Sequence, residues 1–328
     1  MNLTPASKPT FYFVGVSTKH SSIMKVFPEW AKHLQLGDVK ISGIDLPLNA
    51  PANDYRKVTE FIKRDPLSVG ALVTTHKLNL FQASQDLFDL IDDHAIKMNE
   101  TSCLYKRGQQ FGCSAKDPIT SGFALDYILP ERHFPNTGGE VFVMGAGGSA
   151  TAICWHLAQG LSQDQRPNKI VVSDISQHRL DELAEVLSRY QIEVDVDYVL
   201  VDEGKGSQQS GNEQLSNKQT SNEQTLANMP PHSLVINATG LGKDAPGSPI
   251  SNDARFPEHA IVWELNYRGE LDFLHQARNQ ERQAQLEIHD GWVYFIYGWT
   301  RVIAEVFDVD IPVRGEDFDT ICQIAQNA

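Results

Sequence analysis

Two residues of this sequence combine the chemistry and the setting of an acid–base pair. Lys77 ends the polar stretch TTHK, which follows the apolar, strand-like run GALV at residues 70–73. Asp117 lies in GCSAKDPITSGFAL, at a strand end and directly before a helix that begins with Pro118. A desolvated lysine can accept or donate a proton, and a carboxylate can orient both a hydroxyl and an ammonium. On these residues alone, a solvated loop lysine and a helix N-cap remain the competing interpretations, and His76 is a loop or capping residue or a modulator of the lysine.

A glycine-rich turn is the most specific local motif. In VFVMGAGGSATA, a strand over residues 141–144 runs into the pattern G-x-G-x-x-A, and a helix comes next. The first glycine permits a tight turn, the second lets the backbone approach a pyrophosphate, and the alanine lets the helix pack close to the strand. The helix N-terminus offers free N–H groups and a partial positive charge to phosphates. The motif predicts a dinucleotide-binding turn made of Gly145, Ala146, Gly147, Gly148, Ser149 and Ala150.

One carboxylate bears on the choice of dinucleotide. Asp174 ends the next predicted strand, in VVSDIS. A carboxylate in this position can accept both ribose hydroxyls of NAD and repels the 2′-phosphate of NADP. Arg179 lies five residues further on and could reach a phosphate, which keeps NADP open. The sequence favours NAD.

Alternating strands and helices must position these groups. Residues 11–48 read strand, helix, strand, and the helical pattern at 55–65 is followed by the strand GALVTT and the helix LFQASQDLFDLI. This alternation predicts a mostly parallel, doubly wound sheet, while NETSCLYKRGQQFGCSA predicts a β-hairpin. A Pro/Gly/Asn-rich stretch near residue 131 marks a domain boundary, beyond which a second α/β sheet begins.

The sequence thus predicts an α/β protein of two doubly wound domains. The first covers residues 1–132, and a Rossmann dinucleotide-binding domain covers 133–285. Residues 286–328 include the apolar helix DGWVYFIYGWTRVIAEVF, which we expect to pack back on the first domain. Residues 203–230 contain three near-copies of one polar unit, GNEQL, SNKQT and SNEQT. Burial could not offset the entropy of ordering them, so this segment is predicted to be a disordered surface insertion, with a partner-binding tether as the alternative.

Composition excludes several classes of function. The formal net charge of -14 argues against a nucleic-acid partner, since such binding depends on clustered Lys and Arg. The four cysteines are far apart and predict reduced thiols, and no spacing typical of metal ligands occurs. No stretch is long and apolar enough for a membrane span, and the first residues do not resemble a signal peptide, so we expect a cytoplasmic protein. The sequence leaves monomer and homodimer open.

Seven motifs together resemble those of the shikimate dehydrogenase family. VGVSTKHSSIM, GALVTTHK, GCSAKDPITSGFAL, VMGAGGSA, INATG, WELNYRGELDFL and DGWVYFI occur in that family's order, over nearly the whole chain except residues 203–230. The resemblance implies hydride transfer between NAD(P) and a ring hydroxyl of a cyclohexane- or cyclohexene-carboxylate, with Lys77 and Asp117 as the catalytic pair. It further implies cofactor-binding roles for Asn237, Thr239, Gly240 and Gly291. By position or by replacement, the implied substrate-binding residues are Thr18, Ser21, Ser22, Thr74, Thr101, Ser102, Tyr267 and Tyr297.

The departures from the family pattern fall on the substrate side. One residue of the Ser-x-Ser carboxylate clamp is missing at Ser21-Ser22, and the proline expected after Thr74 is absent. The asparagine before the hairpin is replaced by Thr101 or Ser102, and the last helix lacks its glutamine. A pocket built to bind a hydroxyl rejects analogues without it by about 10⁴–10⁵-fold, so these changes predict an altered ring substrate such as quinate or an amino- or deoxy-substituted relative. A dehydrogenase acting on another small hydroxy or amino acid, and a non-catalytic dinucleotide sensor, remain the alternatives.

Overall fold

A computed structural model describes residues 3–48, 50–190, 192–202, 221–243 and 245–328 of the chain. The chain divides into two compact units. The first comprises residues 1–120 and 296–328, and the second comprises residues 121–295. The sequence analysis placed the first boundary near residue 132, about one helix later than this division. Within the described ranges, no helix has the length and apolar character needed to cross a membrane.

A mixed six-stranded sheet forms the centre of the first unit. Its strands follow the order β2-β1-β3-β5-β6-β4. Their bounds are β1 Thr10–Gly15, β2 Lys40–Asp45, β3 Ser68–Val73, β4 Leu90–Ile91, β5 Cys103–Arg107 and β6 Gln110–Ser114. Strands β2, β1 and β3 are parallel, and β5 runs antiparallel to both β3 and β6. The β5–β6 pair is the hairpin that the sequence predicted, and Gly108 supplies the positive φ (60°) its turn requires.

Helices flank this sheet and bury its apolar side chains. They are α1 Ile23–His33, α2 Ala52–Arg64, α3 Lys77–Ser84 and α4 Asp93–Met98, and α5 Asp117–Ile128 begins in this unit and runs into the second. The buried cluster joins Tyr12 and Val14 of β1 with Tyr55 and Val58 of α2. Apolar spacing at helical intervals along α2 is what makes this burial favourable.

The chain returns to the first unit with its last two helices. They are α11 Trp292–Phe307, which enters this unit at residue 296, and α12 Glu316–Asn327. Trp299 packs edge-on against Phe13 with ring centroids 4.9 Å apart, and the indole N–H of Trp30 donates to the carbonyl of Ile321 at 3.0 Å. The predicted return of the last helix to the first domain is confirmed.

The second unit is built on a parallel six-stranded sheet. Its order is β12-β11-β10-β7-β8-β9, a doubly wound arrangement whose order reverses beside β7. The strands are β7 Val141–Met144, β8 Lys169–Asp174, β9 Asp195–Leu200, β10 Leu234–Asn237, β11 Ile261–Glu264 and β12 Glu287–His289. The helices are α6 His133–Thr137, α7 Gly148–Trp155, α8 Gln177–Ser188, α9 Asn222–Asn228 and α10 Asp272–Ala284. The predicted α/β fold class is confirmed for both units.

The insertion predicted at 203–230 differs from the structure over its last part. Residues 203–220 lie outside the described residues, but α9 occupies most of the stretch 221–230. Ser221 and Gln224 form a reciprocal capping box at its start, and Leu226 is 1% exposed. Asn222 accepts a hydrogen bond from Ser173 at 2.7 Å and donates to the carbonyl of Pro249 at 2.8 Å. One cap, one buried leucine and one bridging amide are enough to order a segment whose average composition is polar.

Candidate active site

Lys77 and Asp117 meet in the first unit as an ion pair. Lys77 is the first residue of α3 and follows the exit of β3, while Asp117 is the first residue of α5 and follows β6. The lysine Nζ contacts the aspartate Oδ2. The two side chains retain only 18% and 9% of their exposure, so the pair is mostly withdrawn from water. An ammonium and a carboxylate in this setting can share and direct a proton.

His76 anchors the loop that presents Lys77. Its ring is buried, with Nε2 3.0 Å from the carbonyl of Leu46 and Nδ1 3.1 Å from the hydroxyl of Tyr55. Burial lowers the pKa of His76, which favours the neutral ring. A carbonyl can only accept, so Nε2 carries the proton and Nδ1 accepts from Tyr55. His76 is therefore a neutral residue whose two hydrogen bonds stabilise the turn that leads into α3.

Thr101 and Ser102 hydrogen-bond the backbone around the pair, and the hydroxyl proton of Thr101 is used there. The amide of Thr101 donates to the carbonyl of Lys77 at 3.3 Å, and its hydroxyl bonds the carbonyls of Cys103 and Ser114. The Ser102 hydroxyl accepts from the amide of Lys116 at 2.8 Å. Both residues are nearly fully buried. This corrects the sequence prediction for Thr101, whose hydroxyl the protein's own backbone uses, while a substrate-binding role of Ser102 stays a prediction.

Glu100 lies beside the pair and was missed in the sequence analysis. Glu100 is 3% exposed, and its Oε1 atom has no hydrogen-bond partner among the described residues. Burial, and after it the negative charge of Asp117, raises the pKa of Glu100 to about 7, while Lys77 opposes the change. The only signal in the sequence is an acidic residue directly before a pair of hydroxyl residues, which is too common to single out.

The proposed carboxylate clamp is partly assembled. Thr18 and Thr74 flank Gly15, where an added Cβ would lie 3.2 Å and 3.0 Å from their respective Cγ2 atoms. Thr18, however, directs its amide and hydroxyl to Asp45, at 2.8 Å and 2.6 Å. Its hydroxyl proton is therefore committed inside the protein, unlike the prediction for this residue.

Two serines remain beside this cluster. Ser21 is 7% exposed and its amide donates to the carbonyl of Thr18 at 3.0 Å, while Ser22 precedes α1 without its side chain capping that helix. Thr74 is half-buried, and its amide donates to the carbonyl of Val14 at 3.0 Å. Ser21, Ser22 and Thr74 therefore stay candidates for binding an anionic group.

Tyr297 is a packing residue of the first unit. It is 3% exposed, its hydroxyl donates to the carbonyl of Val313 at 2.8 Å, and its ring stacks on Phe318 at a centroid distance of 4.7 Å. The prediction that Tyr297 contacts substrate is thus corrected. Helical position alone cannot show which of the several aromatic residues of α11 faces the core.

The glycine turn of the second unit has the geometry of a phosphate cradle. Gly145 adopts a φ of 100°, and an added Cβ would come within 2.8 Å of the backbone of Ala238. At Gly147, an added Cβ would meet only an Arg179 nitrogen at 3.8 Å, which leaves its outer side open. Gly148 and Ser149 begin α7, and Ala150 is fully buried against the sheet. Open space beside Gly147 and the start of a helix together fit a pyrophosphate.

Asp174 and a cavity of about 960 Å³ adjoin this turn. The carboxylate accepts from the amide of Ala146 at 2.7 Å and from the amide of Ser176 at 2.8 Å, so it is held firmly at the rim. Each oxygen keeps a second lone pair that can accept a ribose hydroxyl. The lining also carries the carboxylates of Asp202 and Glu223. The residues present fit a dinucleotide.

The loop after β10 is fixed by Asn237. Its amide group donates to Glu264 at 2.6 Å, and its oxygen accepts from the amide and hydroxyl of Thr239. Burial raises the pKa of Glu264 to about 7. Gly240 comes next, with a φ of 78°. Asn237 therefore stabilises the loop through these hydrogen bonds, and Thr239 lines the cavity.

Gly291 and Tyr267 lie together in the second unit. An added Cβ on Gly291 would approach the carbonyl of Leu265 to 1.9 Å, so only glycine fits before α11. Tyr267 packs on Phe295 at 4.6 Å and on Trp292 at 5.6 Å between ring centroids. Tyr267 is half-buried.

The strand order and glycine turn define the second unit as a Rossmann-type nucleotide-binding fold. No protein-family model matches the chain, and no curated protein matches it. Solved structures do match it. Shikimate dehydrogenase from Aquifex aeolicus gives a TM-score of 0.71 at 15% identity, covering 99% of this chain and 100% of that one. The chain has the fold of the shikimate dehydrogenases, which confirms the resemblance at the level of the fold.

Two further matching structures contain a bound cofactor. Quinate dehydrogenase from Corynebacterium glutamicum, in complex with NAD, gives a TM-score of 0.70 at 17% identity, covering 98% of this chain and 99% of that one. Shikimate 5-dehydrogenase from Thermus thermophilus, in complex with NADP(H) and shikimate, gives 0.66 at 16% identity, covering 97% and 98%. The same fold therefore accommodates either dinucleotide.

Proposed function

We propose that this protein is a divergent shikimate dehydrogenase-like oxidoreductase. It transfers a hydride between a nicotinamide dinucleotide and a ring hydroxyl or ketone of a cyclohexane- or cyclohexene-carboxylate, such as shikimate, quinate or a related compound. The observation that carries the proposal is the withdrawn ion pair of Lys77 and Asp117 at the starts of two helices. The shared fold and the phosphate cradle support it.

Each member of the pair has a distinct task. The bound dinucleotide supplies the hydride acceptor or donor. In oxidation the neutral amine of Lys77 takes the hydroxyl proton and becomes the ammonium, and in reduction the ammonium gives that proton back to the substrate oxygen. Asp117 holds the ammonium in place and accepts a hydrogen bond from the reacting hydroxyl. Help of this kind contributes roughly 10²–10⁴-fold to the rate.

The cofactor site favours NAD over NADP. Asp174 ends β8 beside the glycine turn, the position from which a carboxylate reads ribose hydroxyls in Rossmann folds, and Asp202 and Glu223 line the same cavity. A 2′-phosphate carries up to about two negative charges, so this surrounding opposes it. Arg179 lies beside the turn at Gly147. It is better placed to bind the pyrophosphate than to neutralise the negative charge of the three carboxylates.

The substrate side retains anion recognition and changes hydroxyl recognition. Ser21, Ser22 and Thr74 keep hydroxyls available for a carboxylate. The hydroxyl of Thr101 is used by the backbone, and a single serine hydroxyl at Ser102 offers one donor where the resembled family has a side-chain amide that reads a ring hydroxyl. We therefore expect the preferred ring to differ from shikimate in one hydroxyl.

A substrate panel tests the proposal directly. Purified protein would be assayed with shikimate, quinate and amino- or deoxy-substituted ring carboxylates, with NAD⁺ and with NADP⁺, by the absorbance of the reduced cofactor at 340 nm. We expect turnover of at least one ring carboxylate, with a higher kcat/KM for NAD⁺. Tight NAD⁺ binding without turnover of any ring acid would support a dinucleotide sensor and refute the enzyme.

A further inference from the structure

Glu100 brings a second carboxyl to the Lys77–Asp117 pair. Its backbone is fixed on both sides: its own amide donates to the carbonyl of Ala95, and the next amide donates to the carbonyl of Lys77. Asp117 at the start of α5 and Lys77 at the start of α3 are the charged groups that act on the Glu100 carboxyl. The residue is therefore built into the site.

The buried oxygen is not positioned to meet a ligand. Glu100 Oε1 has essentially no solvent-accessible surface, and none of the described residues hydrogen-bonds it. An oxygen that water cannot reach is also closed to a substrate atom. This oxygen can therefore affect the reaction only through the charges of the neighbouring pair.

Charge balance decides which carboxyl stays ionised. Three ionised groups would leave a net negative charge in a nearly closed space, because two carboxylates would share a single ammonium. Asp117 contacts the ammonium directly, whereas Glu100 Oε1 lacks a hydrogen-bond partner throughout the described part of the chain. A buried carboxyl that gains so little from its surroundings avoids the cost of its charge by keeping a proton.

We propose that Glu100 is a protonated positioning residue, which sets the charge that the Lys77–Asp117 pair presents to its substrate. With the proton in place the three groups are neutral overall. Loss of the proton stabilises the ammonium form of Lys77 and adds a negative charge that repels a ring carboxylate. This role rests on the proposed function, but the proton itself does not.

The isosteric change Glu100→Gln tests the proton without any substrate. The folded-state pKa of Glu100 lies above its unfolded value, so between about pH 4.5 and 7 the unfolded chain loses this proton first. Wild type therefore loses stability as the pH rises through this range, and the variant lacks that part of the loss. In urea unfolding we expect the midpoint of Glu100→Gln to rise relative to wild type between pH 5 and pH 8. Glu29→Gln, the same change at an exposed glutamate of α1, should show no such shift.

The kinetic arm uses the best ring carboxylate from the panel. Raising the pH from 6 to 8 should raise KM for that substrate in wild type by roughly 5- to 30-fold, as expected for one added charge near the site. KM should stay flat in Glu100→Gln, and Glu100→Asp should restore the dependence. Parallel urea profiles for Glu100→Gln and wild type would overturn the proposal. If only the substrate panel fails, the urea result still stands and the fault lies with the proposed function.

A second variant covers the case in which Glu100→Gln does not fold. Asp117→Asn removes the negative charge that helps to keep the proton on Glu100. Its pH-dependent loss of stability should then move to lower pH than in wild type. An unchanged profile in Asp117→Asn would show that the two carboxyls are not coupled and would overturn the proposal.

Discussion

Replacing Lys77 by methionine removes the ammonium and keeps most of the apolar stem. Proton transfer by a positioned group contributes about 10²–10⁴-fold, so kcat should fall by that factor, which corresponds to about 3 to 5 kcal/mol of barrier. The KM for the dinucleotide should change little, because the phosphate cradle belongs to a different unit of the chain. The loss should therefore appear in kcat and in kcat/KM together.

The same variant should also be less stable, and the exposure of the two side chains determines how large the loss is. Removing one partner of a fully buried ion pair costs about 3–5 kcal/mol. The Lys77 side chain retains 18% exposure, so water can reach the remaining Asp117 carboxylate to some extent. We expect a loss of about 2 to 3 kcal/mol in the free energy of unfolding.

Steady-state kinetics and urea unfolding measure the two effects separately. Lys25→Met, the same change at an exposed lysine of α1, is the matched control and should leave both unchanged. Turnover of Lys77→Met within tenfold of wild type would refute the assignment of Lys77 as the proton-transfer group. A loss of kcat without loss of stability would show that the ion pair contributes nothing to the fold.

Three further changes test the remaining assignments. Gly145→Ala forces a φ of 100° on alanine and a 2.8 Å contact with the backbone of Ala238, so we expect a loss of about 2–4 kcal/mol in unfolding experiments and at least about tenfold weaker dinucleotide binding by calorimetry. Tyr297→Phe leaves the carbonyl of Val313 without its donor, so it should cost about 1–3 kcal/mol of stability while KM for ring carboxylates stays constant. Asp174→Asn should raise the ratio of kcat/KM for NADP⁺ over NAD⁺ by about tenfold or more, since a negative charge is removed from the ribose site.

Each of these three predictions would be contradicted by a specific result. Wild-type dinucleotide affinity in Gly145→Ala would show that the turn does not cradle the cofactor. A large rise in KM for Tyr297→Phe would return that residue to the substrate site. An unchanged cofactor ratio for Asp174→Asn would mean that other groups choose the dinucleotide.

Features set by local backbone chemistry could be predicted from the sequence. Gly145 takes a φ of 100°, which other residues rarely adopt, so the glycine pattern marks the turn, and Gly145 to Ala150 form the expected strand–turn–helix unit. Lys77 and Asp117 were recognised through a motif order that spans the chain, and the structure shows them in contact. Alternation of strands and helices likewise determined the fold class, because few arrangements satisfy it.

Contacts made through buried polar side chains could not be predicted. The hydroxyls of Thr101 and Ser102 could serve a ligand or a backbone, and only the β5–β6 register shows that the backbone uses them. Tyr297 lies among several aromatic residues in the first two turns of α11, so periodicity does not identify its partner. The setting of Glu100 depends on Lys77 and Asp117 at the starts of α3 and α5, which no local pattern encodes.

The division of the chain has a consequence for synthesis on the ribosome. The second unit is one continuous segment, residues 121–295, whereas the first unit needs residues 296–328 as well. At about 5–20 residues per second, those last 33 residues take roughly 2 to 7 s to be added. The nucleotide-binding fold can thus be complete while Phe13 still lacks its aromatic partner from α11 and Trp30 still lacks its carbonyl partner from α12. A nascent chain stalled in that interval would expose the apolar faces of an unfinished first unit, which makes it the natural target for chaperones or proteases.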